Sequence, residues 1–201
     1  EDGSGLTEGE DFFLVFAPER VLQTRAVEEI RTLPQLIGAW SDKSFHEAET
    51  FFGTFVEKKC IHLQPVEAEL GKLITNMARY VSFALANEFY MICDGLQANP
   101  HTVIAACNTD YPRLNLPLPG VNVGGPCLYK DGYYLVEHIQ YPEIIGASFK
   151  INESMPRYLL DRVAATTNLR RVGVLGLAFK ANCDDTRNSL SFKLMKQLRS
   201  M

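Results

Sequence analysis

Residues 66–94 read VEAELGKLITNMARYVSFALANEFYMICD, and this stretch decides the fold. Its apolar side chains recur at steps of three and four residues, which is the period of an α-helix. The repeating positions are Leu70, Leu73, Ile74, Met77, Val81, Ala84, Leu85 and Phe89. No proline interrupts the run, and Gly95 follows it as a helix stop signal. A helix of this length is a rod of about 40 Å, which is typical of a domain spine or a subunit interface.

Shorter patterns precede this helix. Apolar runs predict strands over 12–16, 33–38 and 60–63, the first of them buried. Ser44, with Glu47 three residues on, predicts the capped start of a helix over 45–56. The alternation of strand and helix is typical of α/β structure.

The segment after the long helix is of a different kind. Residues 111–131 are rich in proline and glycine, which predicts a loop, and loops this long in compact domains commonly carry function. Helices are predicted near 101–107, 132–138 and 155–167, and a buried strand over 171–176. A last helix, capped by Ser189, follows that strand.

Composition excludes several classes of protein. The chain has 201 residues, of which 46% are hydrophobic and 22% charged, with a net charge of −4. These values are ordinary for a folded globular protein, and they argue against nucleic acid as the partner. No apolar run reaches the length of about 20 residues that spans a bilayer. The five cysteines form no CxxC pair, so we expect reduced thiols in a cytoplasmic protein without a metal site.

One cysteine has neighbours that suggest chemistry. Cys127 follows the turn at Gly124 and Gly125 and precedes Lys130. Paired glycines let backbone N–H groups approach a ligand, and a thiol in such a place can act as a nucleophile. If a helix starts here, Asp131 lies one turn away and can transfer protons. The alternative is a tight turn around a buried cysteine.

A second polar pair lies on the long helix. Lys72 and Asn76 are four residues apart, so they share a helix face and can both donate to an oxyanion. The alternative is a solvated polar face. Residues 173–176 invite a dinucleotide-binding interpretation, but GxGxxG is absent from the chain. Residues 179–187 form a charged loop after a predicted strand, where either ligand binding or simple solvation is typical.

Five collinear stretches resemble the UDP-glucose/GDP-mannose dehydrogenase family, which oxidises nucleotide sugars. They are APER at 17–20, ELGKLITN at 69–76, NE at 87–88, GGPCLYKD at 124–131, and GLAFK at 176–180 with DDTRNS at 184–189. Their flanks look most similar to the branch that acts on UDP-N-acetylhexosamines, of the UDP-N-acetylmannosamine type.

The resemblance implies a reaction and a set of roles. An enzyme of this family oxidises the sugar C6 alcohol to a carboxylate with two NAD⁺. Cys127 would attack the C6 aldehyde, Lys72 and Asn76 would stabilise oxyanions, and Asp131 and Glu19 would assist proton transfer and activate water. The implied substrate-binding residues are Arg113 (toward the partner subunit's substrate), Asn115, Gly124, Gly125, Tyr129, Lys180 and Arg187. The implied cofactor-binding residues, for NAD, are Lys130 and Arg187.

The resemblance also implies the organisation of the chain. We expect a mainly α fold in which a helical central domain, residues 65–163, dimerises through the long helix. Partial α/β segments would flank it, with 1–64 ending an NAD-binding domain and 164–201 opening a UDP-sugar-binding domain. We expect this piece to be a homodimer and to be inactive by itself.

Two other functions stay open at this point. The central helices can form a non-catalytic dimerisation module derived from the family. A stand-alone thiol hydrolase using Cys127 is a further hypothesis, and it requires a histidine base. The nearest histidine in the sequence is His138, which has no motif around it.

Overall fold

The computed structural model describes residues 3–125, 127–137 and 139–201, so His138 of the hydrolase hypothesis lies outside the described residues. The chain divides after Thr75 into two compact units. Helices predominate in the described residues, which confirms the mainly α prediction. The helices are α1 (Ala26–Thr32), α2 (Asp42–Phe52), α3 (Pro65–Gly95), α4 (Pro100–Asn108), α5 (Leu128–Val136), α6 (Glu143–Thr166) and α7 (Leu190–Ser200). The division into 1–64, 65–163 and 164–201 stays a prediction.

A small mixed sheet forms the centre of the first unit. Its strands are β1 (Val15–Phe16), β2 (Gln35–Ala39) and β3 (Cys60–Leu63), in that order across the sheet. β2 pairs antiparallel with β1 and parallel with β3, and α2 connects the two parallel strands. Ile37 is fully buried. It and Ala39 of β2 pack against Phe45 and Ala48 of α2. The predicted strands at 33–38 and 60–63 are therefore confirmed within a residue or two.

Two details of the first unit differ from the prediction. The strand predicted over 12–16 is only two residues long, and Phe13, which was predicted to lie in a buried strand, is outside it and half exposed. Ser41 rather than Ser44 caps α2, and its hydroxyl accepts from the Ser44 N–H at 3.2 Å. The Ser44 hydroxyl instead donates to the Glu8 carboxylate.

The long helix is confirmed as α3, with 31 residues. Its first turn lies against β2, where a β carbon at Gly38 would be 2.6 Å from Pro65 Cα and 2.9 Å from Ala68 Cβ. Contacts under 3 Å are not tolerated between carbon atoms in packed proteins. The absence of a side chain at Gly38 therefore allows α3 to start where it does.

The second unit is helical. Met77, Tyr80 and Val123 form its main buried cluster, against which side chains of α5 and α6 such as Leu128 and Phe149 pack. Gly132 lets α5 approach closely, since a β carbon there would meet Met77 Cε and lie 2.7 Å from Phe149 Cζ. α5 starts four residues earlier than the helix predicted near 132–138, and α6 starts 12 residues earlier than the one predicted over 155–167.

The predicted loop is also present in this unit. Residues 109–125 contain neither helix nor strand. Leu116 is buried with Ala86 of α3 and Ile104 of α4, so the loop has an apolar anchor of its own.

The strand predicted over 171–176 is wrong. None of these residues is in a strand, and Leu175 is 97% exposed. A strand satisfies its N–H and C=O groups through a neighbour, and no described strand pairs with this segment. The predicted helix after it is confirmed, with the Ser189 hydroxyl accepting from the Ser191 N–H. Among the described helices, none is long and apolar enough to cross a membrane.

Candidate functional site

Cys127 is the residue from which helix α5 starts. Its side chain is exposed, and its carbonyl accepts the first helical hydrogen bond, from the Asp131 N–H at 3.2 Å. The prediction of a helix that places Asp131 one turn from the thiol is confirmed. The N-terminus of a helix carries a partial positive charge, which favours an anion such as a thiolate beside it.

Asp131 is held by an amide from α3. The Asn76 Nδ2 donates to Asp131 Oδ2 at 2.7 Å, and Asp131 is only 4% exposed. A hydrogen bond to a carboxylate is stronger than one between neutral groups, so this contact fixes the carboxylate beside the start of α5. An amide nitrogen has two hydrogens, so Asn76 can still donate to a second acceptor.

In the first unit, Lys72 is bound to the segment that connects β1 to α1. Its Nζ donates to the Glu19 carbonyl at 2.8 Å, and the Glu19 carboxylate accepts from the Val21 N–H. Arg20 Nη2 donates to the Pro34 carbonyl at 2.5 Å. These contacts fold the segment around a cleft of about 180 Å³ that Glu19 and Arg20 help to line. A lysine ammonium has three donors, so this single bond leaves Lys72 able to serve an oxyanion.

The glycine pair before Cys127 packs against the segment that precedes α7. Gly125 has a φ of +91°, which a side chain would strain, and a β carbon there would lie 3.1 Å from the Phe179 ring. The Asn188 Nδ2 donates to the Gly125 carbonyl at 3.1 Å. Close packing therefore accounts for Gly125, and the substrate-binding role of Gly124 and Gly125 stays a prediction.

Arg187 interacts electrostatically with Cys127. Its guanidinium forms two parallel hydrogen bonds with Asp185, 3.0 Å from Nε to Oδ1 and 2.7 Å from Nη2 to Oδ2. The Asp185 hydrogen bond and its charge raise the pKa of Arg187, and Cys127 adds a smaller contribution in the same direction. Asp185 thus orients a cation near Cys127, which we had not predicted, because two neighbouring acidic residues in a loop also fit a solvated surface.

Lys180 is shielded from solvent at its charged end. Its Nζ is buried and has no hydrogen-bond partner among the described residues. An unpaired ammonium group removed from water costs on the order of several kcal/mol. The position therefore suits an anionic group of a ligand.

The other predicted residues are spread over the second unit. The hydroxyls of Tyr129 and Tyr133 share a hydrogen bond of 2.8 Å, which, together with burial, raises the pKa of Tyr129 to about 12. The Arg113 guanidinium is bound to the Tyr111 hydroxyl at 2.8 Å and lies 4.4 Å from the centre of that ring. Lys130 and Asn115 are exposed. Their binding roles stay predictions.

Sequence reasoning missed Glu153. Its carboxylate accepts from Lys193 of α7 at 2.5 Å and from Asn122 of the loop at 3.3 Å. It therefore links α6 to two other elements near Tyr129, over whose ring Lys193 Nζ lies at 5.3 Å. No local signal marks one glutamate on a helix as the partner of residues 31 and 40 positions away.

Comparison with known proteins agrees with this arrangement of elements. The model of the UDP-glucose/GDP-mannose dehydrogenase family central domain matches residues 66–154, and that of the same family's UDP binding domain matches 173–201.

Individual relatives point to the same family. The UDP-N-acetyl-D-mannosamine dehydrogenase of Pyrococcus horikoshii is 36% identical over 208 aligned positions, which cover 100% of this chain and 50% of that protein. The NDP-N-acetyl-D-galactosaminuronic acid dehydrogenase of Ralstonia solanacearum is 32% identical, covering 96% of this chain and 46% of its own. The solved UDP-N-acetyl-mannosamine dehydrogenase of Staphylococcus aureus is 34% identical with a TM-score of 0.82, covering 100% of this chain and 48% of that one.

The chain thus spans about half the length of the curated relatives it matches. Two domain models of one family match it in chain order, and the first match contains the start of α5 and all of the long helix except its first residue. The chain therefore belongs to the UDP-glucose/GDP-mannose dehydrogenase family.

Proposed function

We propose that this chain carries the covalent chemistry of an NAD-dependent dehydrogenase that oxidises C6 of a UDP-N-acetylhexosamine. The observation that supports this best is the group at the start of α5, where an exposed thiol precedes by one turn a buried carboxylate held by Asn76. Such a group suits a nucleophile with a fixed proton acceptor beside it. A cytoplasmic location stays part of the proposal.

The substrate class is inferred from the relatives and from Lys180. Two of the relatives are named for N-acetylated amino sugars, one on a uridine diphosphate and one on a nucleoside diphosphate. The shielded Lys180 ammonium suits a diphosphate or carboxylate of the same ligand. Arg113, Asn115, Gly124, Gly125, Tyr129 and Arg187 complete the proposed binding set.

The proposed reaction has two oxidations with a covalent intermediate between them. After the C6 alcohol becomes an aldehyde, the Cys127 sulfur adds to its carbon, the C=O π bond breaks, and the oxygen takes a proton. Removal of the second hydride from C6 and of the proton from the oxygen re-forms the C=O bond and turns this thiohemiacetal into a thioester. Water then adds, the C–S bond breaks, and the thiol regains its proton as the carboxylate forms. NAD⁺, when bound, accepts one hydride in each oxidation.

Each catalytic side chain has a stated task in this scheme. Asn76 donates to the oxyanion while it holds Asp131, and Lys72, one turn earlier on α3, supplies the positive charge. Asp131 takes the thiol proton and returns it, and Glu19 activates the hydrolytic water. Water attack is needed because a thioester does not release a carboxylate by itself.

The described residues suit the phosphates of a dinucleotide only in part. Arg187 and Lys130 are exposed cations, and Arg187 lies in the field of Cys127. These residues would hold the charged portion of NAD beside the thiol, although GxGxxG is absent from the 201 residues. We therefore predict that this chain alone forms no NADH from NAD⁺ and any UDP-sugar. NADH formation in a coupled absorbance assay would overturn that prediction.

The nucleophile is tested by alkylation of the chain. Iodoacetamide near pH 7, with peptide mass spectrometry, should label Cys127 at least about tenfold faster than Cys107, because an activated nucleophile reacts faster than an ordinary surface cysteine. Cys107 is the matched control, since it is also exposed but lies in the last turns of α4. Equal and slow labelling of both cysteines would overturn the proposal, as would unchanged labelling in Arg187→Gln.

A non-catalytic dimerisation module is the second candidate, favoured by one surface. Leu85, Phe89, Ile92 and Leu96 follow one another at steps of four, three and four residues, and all four are exposed. The first three belong to α3 and Leu96 follows its last residue; we call the four residues the α3 stripe and propose that it is covered by a second copy of the chain. The enzyme would use the same interface, so the stripe supports dimerisation under both candidates.

Light scattering during size exclusion tests the α3 stripe. The chain should elute as a dimer at micromolar concentration, and Ile92→Glu should convert it into a monomer. Val163→Glu, at an equally exposed apolar position of α6, is the matched control and should stay dimeric. A parent chain that is strictly monomeric at that concentration would overturn the dimer.

A further inference from the structure

A pair of buried asparagines links α3 to α6. Asn87 is 1% exposed and Asn152 is fully buried. The Asn87 Nδ2 donates to Asn152 Oδ1 at 2.9 Å, and the Asn152 Nδ2 donates to the Tyr80 carbonyl at 3.3 Å. Buried amides persist only where their polar groups are satisfied, so the two side chains fix each other's orientation.

Asn87 uses its other end to hold the loop. Its Oδ1 accepts from the Gly120 N–H at 2.9 Å. The Asn87 amide thus donates to Asn152 of α6 and accepts from Gly120 of the loop. Aspartate has no hydrogen for the first bond unless it is protonated, and alanine can make neither.

Side-chain amides take the place of secondary structure along residues 109–125. At the start of the loop, Asn108 and Leu116 exchange two hydrogen bonds, of 2.8 Å and 3.0 Å. At its end, Asn188 holds the Gly125 carbonyl. Gly120 lies between these two anchors, and Cys127 follows two residues after the second.

We propose that Asn87 and Asn152 are positioning residues that hold Gly120 and, through it, the loop that sets Cys127 at the start of α5. The catalytic importance of these asparagines rests on the proposed role of Cys127 as nucleophile. Their role as an anchor of the loop does not depend on that proposal. A purely structural role would instead stabilise the second unit as a whole, without a special effect on the loop.

Amide hydrogen exchange separates these roles. In Asn87→Ala, exchange at Gly120 and its neighbours over 116–125 should accelerate about tenfold, which is the equilibrium change for one lost hydrogen bond. Leu160→Ala is the control, because Leu160 is buried on α6 and its loss also destabilises this unit. Exchange in the loop that rises equally in both variants would overturn the proposal.

Asn87→Asp provides a second, more conservative test. When protonated, its carboxyl offers the same donor and acceptor as the native amide, and burial favours that form. At pH 5, after correction for intrinsic rates, the Gly120 protection should return to within about threefold of the parent chain. Protection as low as in Asn87→Ala would overturn the proposal, as would full protection in Asn87→Ala itself.

Cysteine labelling tests the consequence for the thiol. The iodoacetamide rate of Cys127 relative to Cys107 should fall at least about threefold in Asn152→Ala and Asn87→Ala, and stay unchanged in Leu160→Ala. A faster-exchanging loop with an unchanged ratio would show that the asparagines order the loop without positioning Cys127, which overturns the proposal. A parent Cys127 that labels no faster than Cys107 instead overturns the proposed nucleophile, and the exchange result still decides the anchor.

Discussion

Asn76 Nδ2 and Asp131 Oδ2 lie 2.7 Å apart and connect α3 to the first turn of α5. The two residues are 55 positions apart in the sequence. Because Asp131 is buried, loss of this donor would leave a carboxylate oxygen without its partner in a place that water hardly reaches.

Asn76→Ala should therefore lower the free energy of unfolding of the second unit by about 1.5–3 kcal/mol, the range for a hydrogen bond to a charged group. Urea unfolding followed by far-ultraviolet circular dichroism measures it. The exposed Asn115→Ala is the control and should change stability by less than about 0.5 kcal/mol. In a double-mutant cycle with Asp131→Ala, a coupling free energy below about 0.5 kcal/mol would contradict the finding.

Tyr129 should make stability fall at high pH. Its pKa is raised to about 12, above the value near 10 of an unfolded tyrosine. Between these values the unfolded chain has lost the proton that the folded chain keeps, so the contribution of Tyr129 is present below pH 10 and is lost as pH rises toward 12. Unfolding at a series of pH values should give a flatter profile for Tyr129→Phe. The exposed Tyr141→Phe should leave the profile unchanged, and equal profiles for all three chains would refute the assignment.

Two glycines of the second unit should respond oppositely to alanine. At Gly132 a methyl group would collide with Met77 and lie 2.7 Å from Phe149 Cζ, so Gly132→Ala should cost about 1–3 kcal/mol of stability. At Gly146, within α6, no atom lies within 4 Å of the new carbon, so Gly146→Ala should stabilise by about 0.5–1 kcal/mol. Thermal unfolding of both variants gives the comparison, and a Gly132→Ala variant that is as stable as the parent chain would show that packing at Gly132 is loose.

The cap of α4 should be measurable by itself. Asn99 Oδ1 accepts from the His101 N–H at 3.0 Å and the Thr102 N–H at 3.3 Å. Asn99→Ala leaves both donors without this acceptor and should cost about 1 kcal/mol. Amide exchange at these two residues should accelerate in Asn99→Ala and stay slow in Asn99→Asp, which keeps a capping oxygen. Fast exchange in both variants would mean that the cap contributes nothing.

Local patterns predicted the elements that local forces determine. The period of residues 66–94 predicted α3 because one helix face must be apolar along its whole length. The apolar run 171–176 has the same kind of local support, but it forms no strand, since a strand also needs a neighbour. Ser41 and Ser44 are equally good caps by type, and their surroundings, not their sequence, select Ser41.

In the candidate site, too, contacts within one helix were predictable from the sequence and contacts between helices were not. Helical spacing predicted that Asp131 lies one turn from Cys127, because that distance is set within one helix. The Asn76 bond to Asp131 and the Asn87 bond to Gly120 join residues 55 and 33 positions apart. Such pairs follow from how the helices pack, which a single sequence does not encode locally.

The bare main chain at Gly38 has a mechanical consequence for Lys72. The base of α3 rests on this point of β2, and Lys72 stands two turns further along the same rod, about 10 Å away. A methyl group at residue 38 would displace the first turn of α3. The Lys72 ammonium group would then move with the helix. The position of the Lys72 ammonium group thus depends on the absence of a side chain at a residue 34 positions earlier in the chain.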